Sequence, residues 1–226
     1  MDQGVSPAPN DTVPQAHYYA NPRPEMMRYL PESATRLLDV GCGGGAFAAQ
    51  AAQLLGCEAW GVEPVATVAD QARQRLAHVV KAPFAAGLEL PAAGFDAIVF
   101  NDSLEHMVDP WAALDYSRSL LAPGGCVVAS IPNVRYIDNL KDLLLRGDWR
   151  YVDEGILDRT HLRFFTRKSI IETFEASGFD VQRIEGINPH PWRSWRLKLV
   201  RLAFGRHVED MRWLQFAVVA RPKTTA

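Results

Sequence analysis

Short apolar runs alternate with longer amphipathic stretches from about residue 36 onward. Runs of about four to eight apolar residues between turn residues are typical of buried strands. Runs of this kind lie at 36–40, 57–63, 78–82, 95–101, 126–133, 179–186 and 214–222. Because helical stretches separate most of the earlier runs, the pattern predicts a parallel sheet covered by helices.

The stretches between these strands carry the apolar spacing or the end signals of helices. They lie at 46–56, 65–77, 109–125, 134–146 and from about Thr166 onward. We expect Gly56 to close the first helix and Pro123-Gly124-Gly125 to stop the third. The last two strands are separated by a long insert and lack the spacing of a further βαβ unit. They therefore predict an antiparallel edge on the sheet.

The length and composition fit one domain. A chain of 226 residues, 48% of them hydrophobic, can bury a substantial core. Residues 1–16 contain three prolines and almost no large apolar side chains, so we expect a flexible leader there. The domain is predicted over 17–226, with a substrate-facing segment at about 134–165 and a lid or contact helix at about 191–206.

Charge and cysteine content exclude several classes of protein. A formal net charge of -2 argues against a nucleic-acid partner and favours a small-molecule acceptor. No apolar run approaches the roughly 18 residues of a membrane span, and no signal-peptide pattern is present, so we expect a cytoplasmic enzyme. Cys42, Cys57 and Cys126 are an odd number without CxxC spacing. This argues against a disulfide framework and a zinc site, and we expect no metal.

A glycine-rich loop joins the first strand to the first helix. The stretch DVGCGGG (39–45) follows a buried strand and opens a helix, which is the context of a nucleotide-binding loop. Bare backbone lets a ligand approach closely, and the start of the helix offers unpaired N–H groups. The alternative is a tight turn that binds nothing.

Two acidic residues bear on the choice of cofactor. The spacing Gly41-x-Gly43-x-x-Ala46 also fits a dinucleotide, so an NAD-dependent oxidoreductase stays an alternative. Asp39 would repel a pyrophosphate but could attract the ammonium of a bound methionine moiety. Glu63, 24 residues later, can accept hydrogen bonds from the ribose hydroxyls of either cofactor. The pair therefore favours S-adenosylmethionine.

Four motifs, in order, carry a family resemblance: LLDVGCGGG (37–45), GVEP (61–64), FDAIVFNDSLEH (95–106) and LAPGG (121–125). Through them the chain resembles the class I S-adenosylmethionine-dependent methyltransferases. The resemblance implies an α/β fold, a single-domain, doubly wound, seven-stranded sheet that is mostly parallel with one antiparallel strand.

The same resemblance implies where the cofactor binds. It places Asp39, Gly41, Cys42 and Gly43 around the methionine part, Glu63 at the ribose, and Asn101 with Asp102 along the cofactor after the fourth strand. Many relatives also place an acidic residue near the adenine after the third strand, whereas this chain has Lys81-Ala82-Pro83-Phe84 there.

The segment 131–170 resembles a branch of the family associated with bacterial surface-polysaccharide and glycan synthesis. This predicts O-methylation of a sugar or a glycan-related small molecule. The alternatives are another small hydroxylated or amino metabolite as acceptor, or a non-catalytic scaffold.

Methyl transfer to a hydroxyl requires a group that removes the acceptor's proton. His161 is the first candidate, because it lies in a polar loop with Asp158, a carboxylate that could orient its ring. The alternative for His161 is that it pins the loop against neighbouring aromatic residues. His106, after the fourth strand, is the second candidate, and its alternative is a structural, hydrogen-bonded histidine.

Aromatic and basic residues suggest further contacts. Tyr18 and Tyr19 could close over the cofactor or pack in the core. For acceptor binding, the candidates are Trp149, Tyr151, Arg159 and Arg163. The stretch 191–206 has five basic residues and no acidic one, so it is either a lid or homodimer contact or a helix on an anionic membrane surface.

Overall fold

The computed structural model describes residues 22–191, 202 and 205–224. Seven strands form one sheet: β1 (Arg36–Val40), β2 (Glu58–Val62), β3 (His78–Val80), β4 (Phe95–Asn101), β5 (Leu121–Pro132), β6 (Phe179–Pro189) and β7 (Trp213–Pro222). The α-helices are α1 (Ala46–Leu55), α2 (Ala66–Ala72), α3 (Pro110–Leu120), α4 (Ile137–Lys141) and α5 (Arg167–Ala176).

Shorter helical segments complete the description. Three are 3-10 helices, at Pro24–Tyr29, Leu104–His106 and Gly205–Arg212, and one is a π-helix, at Asp142–Arg146. The π-helix continues α4, so the helix predicted at 134–146 exists in shortened form. None of the helices in the described part of the chain has the length and apolar character that crossing a membrane requires.

The strand order is β3-β2-β1-β4-β5-β7-β6. The pairs from β3 to β5 are all parallel, whereas β7 runs antiparallel to both β5 and β6. The prediction of a mostly parallel, seven-stranded sheet with one antiparallel strand is confirmed. Because β1 lies beside β4, the loops after β1, β2 and β4 meet at one edge of the sheet, where open α/β sheets bind ligands.

Two helix ends show how the sequence sets local structure. Gly56 closes α1 with φ 67°, as predicted. The third helix, however, ends at Leu120, and LAPGG (121–125) belongs to β5. Leu121 pairs with Phe95, and the register then shifts so that Cys126 pairs with Ala97. The extra residues therefore form an irregularity in the ladder, where Pro and Gly are tolerated.

The core lies on both faces of the sheet. One cluster is centred on Phe95, Phe100, Phe174, Phe179 and Phe216, all almost fully buried. The other is built from small side chains of α1 and residues of the Pro24–Tyr29 helix, including Met26. These clusters hold β1 and β4 rigidly, so the loops that follow them start from fixed positions.

Candidate active site

The glycine-rich loop turns directly over the end of β2. Gly41 and Cys42 donate their backbone N–H groups to the Val62 carbonyl, at 2.8 and 3.1 Å. Gly41 has φ 75°, and a Cβ built there would lie 2.9 Å from Cβ of Ser103. Left-handed backbone and close approach both require glycine at this position.

Asp39 and Glu63 lie below this loop. Asp39 is 2% exposed, and burial together with the neighbouring Glu63 raises its pKa to about 7. Glu63 accepts hydrogen bonds from the backbone N–H of Gly43 at 3.0 Å and of Val65 at 2.9 Å. Burial raises the pKa of Glu63 as well. The two carboxyl groups lie beside bare backbone, where a bound cation would favour their ionised form and hydroxyl donors could bond to them.

Cys42 packs inside the loop. Its side chain is buried, and a Cβ built on Gly61 would lie 2.6 Å from its Sγ. Burial raises the pKa of the thiol, so it stays protonated. Cys42 fixes the loop against β2, and its backbone remains the part that can face a ligand.

The last residue of β4 and the segment after it carry side chains whose polar atoms are buried without a hydrogen-bond partner among the described residues. These atoms are Nδ2 and Oδ1 of Asn101, Oγ of Ser103, and both carboxylate oxygens of Glu105. Buried polar groups are normally paired, so such a cluster indicates groups that await a ligand. Asn101 thus fits the cofactor role predicted for it.

Asp102 is held differently. Its carboxylate accepts hydrogen bonds from Ser130 Oγ at 3.0 Å and Gln215 Nε2 at 2.7 Å, and it forms an ion pair with Arg23. Gln215 Oε1 in turn accepts from Arg23 at 3.2 Å and Asn188 at 2.8 Å. Asp102 stays predicted to line the cofactor; in the structure its carboxylate belongs to this network and borders a cavity.

That cavity, of about 100 Å³, is lined by Asp102, Glu105, Pro132, Gly155, Ile156, Asp158, His161, Leu214 and Gln215. It joins the end of β4 to the loop that contains His161. Two of the three predicted catalytic residues, His161 and Asp158, border it. Its lining contains three acidic residues and neither lysine nor arginine, which favours a ligand that donates hydrogen bonds over an anion.

His161 is 8% exposed, and its ring is fixed at one nitrogen. Nδ1 lies 2.9 Å from the carbonyl of Ile156, and a carbonyl only accepts, so Nδ1 donates and Nε2 is left as an acceptor. Nε2 lies 4.0 Å from Oε1 of Glu105. Burial raises the pKa of Glu105 to about 8. The structure thus brings an imidazole and a carboxyl group together at the cavity.

The sequence analysis expected Asp158 to orient the His161 ring. In the structure the carboxylate of Asp158 bonds elsewhere. Its Oδ1 accepts hydrogen bonds from the backbone and hydroxyl of Thr160, both at 2.7 Å. The ring is held instead by the carbonyl of Ile156. Nδ1 of His106 lies 3.1 Å from the Thr160 hydroxyl, and burial and the adjacent His161 lower the pKa of His106. Its contacts favour the structural alternative for His106.

Of the residues predicted to bind the acceptor, two are aromatic and two basic. Trp149 and Tyr151 gather around Phe164, with ring centroids 5.5 and 6.4 Å away. Arg159 is exposed and pairs with Asp153. Arg163 donates to the Val108 carbonyl and lies over the Trp111 ring. Neither arginine lines the cavity.

Tyr19 and most of the stretch 191–206 lie outside the described residues. Within them, the one group of side chains close enough to share a metal ion is Glu105, His106 and His161, whose ligand atoms lie within 4.8 Å of one another. The sequence analysis, which argued from cysteine spacing, did not find this group. Arg23 and Gln215 were also missed. Glu105 stands in the quoted motif beside His106, but Arg23 and Gln215 carry no local signal.

Comparison with known proteins supports the sequence resemblance. A family model described as "Methyltransferase domain" matches residues 15–184. The chain belongs to the class I S-adenosylmethionine-dependent methyltransferase family. It is 32% identical over 178 residues to a ubiquinone biosynthesis O-methyltransferase of Cereibacter sphaeroides (strain KD131), which covers 74% of this chain and 70% of the relative. A protein of the same name from Psychrobacter arcticus is 30% identical over 78% of the chain and 72% of its own length.

Solved structures agree with the fold of this methyltransferase. An S-adenosylmethionine-dependent methyltransferase from Archaeoglobus fulgidus superposes with a TM-score of 0.66 at 20% identity, covering 87% of this chain and 90% of its own. One from Mesorhizobium loti gives 0.60 at 21% identity, with coverages of 88% and 96%. The expected cofactor and enzyme class are confirmed. The glycan branch finds no support in these comparisons.

Proposed function

We propose that this methyltransferase transfers the methyl group of S-adenosylmethionine to a hydroxyl oxygen of a small molecule bound in the 100 Å³ cavity. The observation that carries the proposal is the imidazole of His161, which lines the cavity, is held at Nδ1 by the Ile156 carbonyl and has its Nε2 4.0 Å from Glu105. The name O-methyltransferase, carried by the relatives from Cereibacter and Psychrobacter, supports an oxygen acceptor.

The residues at the glycine loop fit the cofactor. Asn101 has two buried polar atoms with no partner among the described residues, and Asp39 is a buried carboxyl group beside open backbone. Asp39 would hold the ammonium of the amino-acid end, and Glu63 the ribose hydroxyls. When bound, the cofactor supplies a methyl group activated by a positive sulfonium.

His161 and Glu105 then handle the acceptor's proton. Because Nδ1 of His161 is committed to Ile156, Nε2 is the atom that accepts the hydroxyl proton as the oxygen attacks the methyl carbon. Because burial raises the pKa of Glu105 to about 8, this group is ionised in only part of the molecules near neutral pH, and in that form it stabilises the resulting imidazolium from 4.0 Å away. Enclosure of both groups excludes water and strengthens this interaction.

The charge of the cavity constrains the acceptor. Asp102, Glu105 and Asp158 all border it, so an uncharged, hydroxylated molecule is favoured over a carboxylate or a phosphate. A sugar remains one such acceptor, although the comparisons give it no support. Because the relatives are named for ubiquinone biosynthesis, neutral phenols are included as candidate acceptors in the experiment below.

The test is incubation of the enzyme with S-adenosylmethionine and matched acceptors, followed by mass spectrometry for an added methyl group. Neutral sugars and phenols are compared with their carboxylated counterparts. We expect methylation of a neutral member and loss of it in the carboxylated partner. His161→Ala should lower kcat about 100-fold or more while the affinity for S-adenosylhomocysteine changes less than about twofold.

His78→Ala is the control, because His78 stacks on Trp60 at the far edge of the sheet. It should leave turnover unchanged. Full turnover by His161→Ala would rule out the proposed base. Methyl transfer confined to nitrogen acceptors would rule out the hydroxyl acceptor.

A further inference from the structure

Alternate residues at and after the end of β4 carry buried polar atoms without partners among the described residues: Asn101, Ser103 and Glu105. The proposed function assigns Asn101 to the cofactor and Glu105 to the proton. It leaves the hydroxyl of Ser103 unexplained. Ser103 is 7% exposed, so water does not readily satisfy this group either.

Other buried serines of the described chain are satisfied. Oγ of Ser117 donates to the Ala113 carbonyl at 2.8 Å, and Oγ of Ser177 donates to the Thr173 carbonyl at 3.0 Å. Ser117 lies on α3 and Ser177 directly follows α5, so each has a backbone carbonyl one helical turn earlier within reach. Ser103 precedes a 3-10 helix, and its backbone carbonyl is already used by His106 N–H at 3.2 Å. Its hydroxyl is thus left for something other than the local backbone.

The position of Ser103 indicates what that partner is. A Cβ built on Gly41 would lie 2.9 Å from Cβ and 3.7 Å from Oγ of Ser103, so the serine lies directly against the start of the glycine loop. Asp39, which precedes Gly41 by two residues, provides the carboxyl group proposed to hold the cofactor's ammonium. A hydroxyl can donate to a carboxylate or accept from an ammonium, and the amino-acid end of the cofactor offers both.

We propose that Ser103 is a cofactor-binding residue whose hydroxyl forms a hydrogen bond with the amino-acid end of S-adenosylmethionine. The proposal rests on the placement of that end at the glycine loop. It explains the buried hydroxyl without a partner beside Gly41. Ser103 lies within the motif FDAIVFNDSLEH (95–106), but the resemblance gave it no role.

The test compares Ser103→Ala with Ser117→Ala by calorimetry and thermal unfolding. The ligands are S-adenosylhomocysteine and 5′-methylthioadenosine, which lacks the amino-acid end. Ser103→Ala should weaken S-adenosylhomocysteine about tenfold and leave methylthioadenosine within about twofold. The ligand-free variant should unfold at the wild-type temperature or above, because no hydrogen bond is lost. Ser117→Ala should instead lower the unfolding temperature and leave both affinities unchanged.

Three results would overturn the proposal. They are unchanged affinity of Ser103→Ala for S-adenosylhomocysteine, equal loss for both ligands, and destabilisation equal to that of Ser117→Ala. Failure of the proposed acceptor chemistry would not affect these measurements, since they involve no acceptor. Absence of S-adenosylhomocysteine binding by the wild-type enzyme would refute the cofactor site itself, which a failure confined to Ser103→Ala cannot do.

Discussion

At the scale of single residues, the buried Asp39 links cofactor binding to pH. Its pKa is raised to about 7 by burial and by Glu63. An ammonium bound beside it favours the ionised form, so binding releases a proton. We expect the affinity for S-adenosylhomocysteine to be about tenfold weaker at pH 6 than at pH 8. Calorimetry at the two pH values measures this difference in affinity. Asp39→Asn should bind S-adenosylhomocysteine weakly, and its affinity should depend less on pH.

The same carboxyl group affects the ligand-free protein in the opposite direction. A folded-state pKa above the unfolded one means that the folded protein binds more protons, so its contribution to stability is full below about pH 4 and is lost as the pH rises through about 7. Asp39→Asn should therefore gain stability relative to wild type over that range. A variant with the wild-type pH dependence of unfolding would show that Asp39 is not the group responsible.

Residues differ in how far sequence alone could find them. One local pattern places Asp39, Gly41 and Glu63. The spacing between the first strand, the glycine loop and the end of the second strand is fixed, so these positions can be found from the sequence. His161 was found as a polar residue in a loop, but its partner was misjudged. The carbonyl of Ile156 that holds the ring is a main-chain atom, and no side-chain pattern reveals it.

At the scale of elements, the junction of the glycine loop with β2 leaves no free space. In Gly61→Ala the new Cβ would lie 2.6 Å from Sγ of Cys42, so the loop must move. We expect a loss of about 1 to 3 kcal/mol in the free energy of unfolding. The affinity for S-adenosylhomocysteine should also fall severalfold, because Cys42 belongs to the cofactor loop.

Gly56→Ala is the matched control at the other end of α1. A Cβ at Gly56 meets no atom within 4 Å, although its φ of 67° carries a cost of about 1 kcal/mol for alanine. It should destabilise the protein without changing affinity. Denaturant titration and calorimetry separate the two effects, and unchanged affinity in Gly61→Ala would contradict the coupling between β2 and the loop.

Most element positions follow from the sequence, and the exceptions have a physical cause. Strands and helices with a clear apolar period, such as β1, β4 and α1, were placed within about a residue. LAPGG was assigned to a helix end because Pro and Gly usually stop helices. Pairing of Leu121 with Phe95, a tertiary contact, brings this stretch into the strand.

At the scale of the whole molecule, Gln215 connects distant parts of the chain. It bonds to Arg23 near the start of the described chain, Asp102 after β4 and Asn188 at the end of β6. Arg23, Asp102 and Asn188 all have left-handed backbone, with φ of 46°, 49° and 51°. Such conformations persist only where surrounding contacts enforce them.

Gln215→Leu should therefore cost about 1 to 3 kcal/mol, because several buried polar groups lose their partner at once. Gln182→Leu, on the exposed part of β6, should change the free energy of unfolding by less than about 0.5 kcal/mol. Chemical denaturation measures both. Equal values for the two variants would mean that the network contributes nothing to stability.

The topology was predictable in outline, since alternating strands and helices with two closing strands define it. The convergence on Gln215 was not, because the residues lie up to 192 positions apart and no local pattern connects them. The cavity could not be predicted from the sequence for the same reason, because its lining comes from the ends of β5 and β7 and from two loops.

The place of β7 has a consequence for synthesis on the ribosome. It is the last of the seven strands in chain order, yet it fills the position between β5 and β6. Until it emerges, β5 and β6 both expose unpaired backbone edges, and such edges invite aggregation. A polypeptide terminated before Trp213 therefore leaves the backbone edge of β5 open to pairing with another chain.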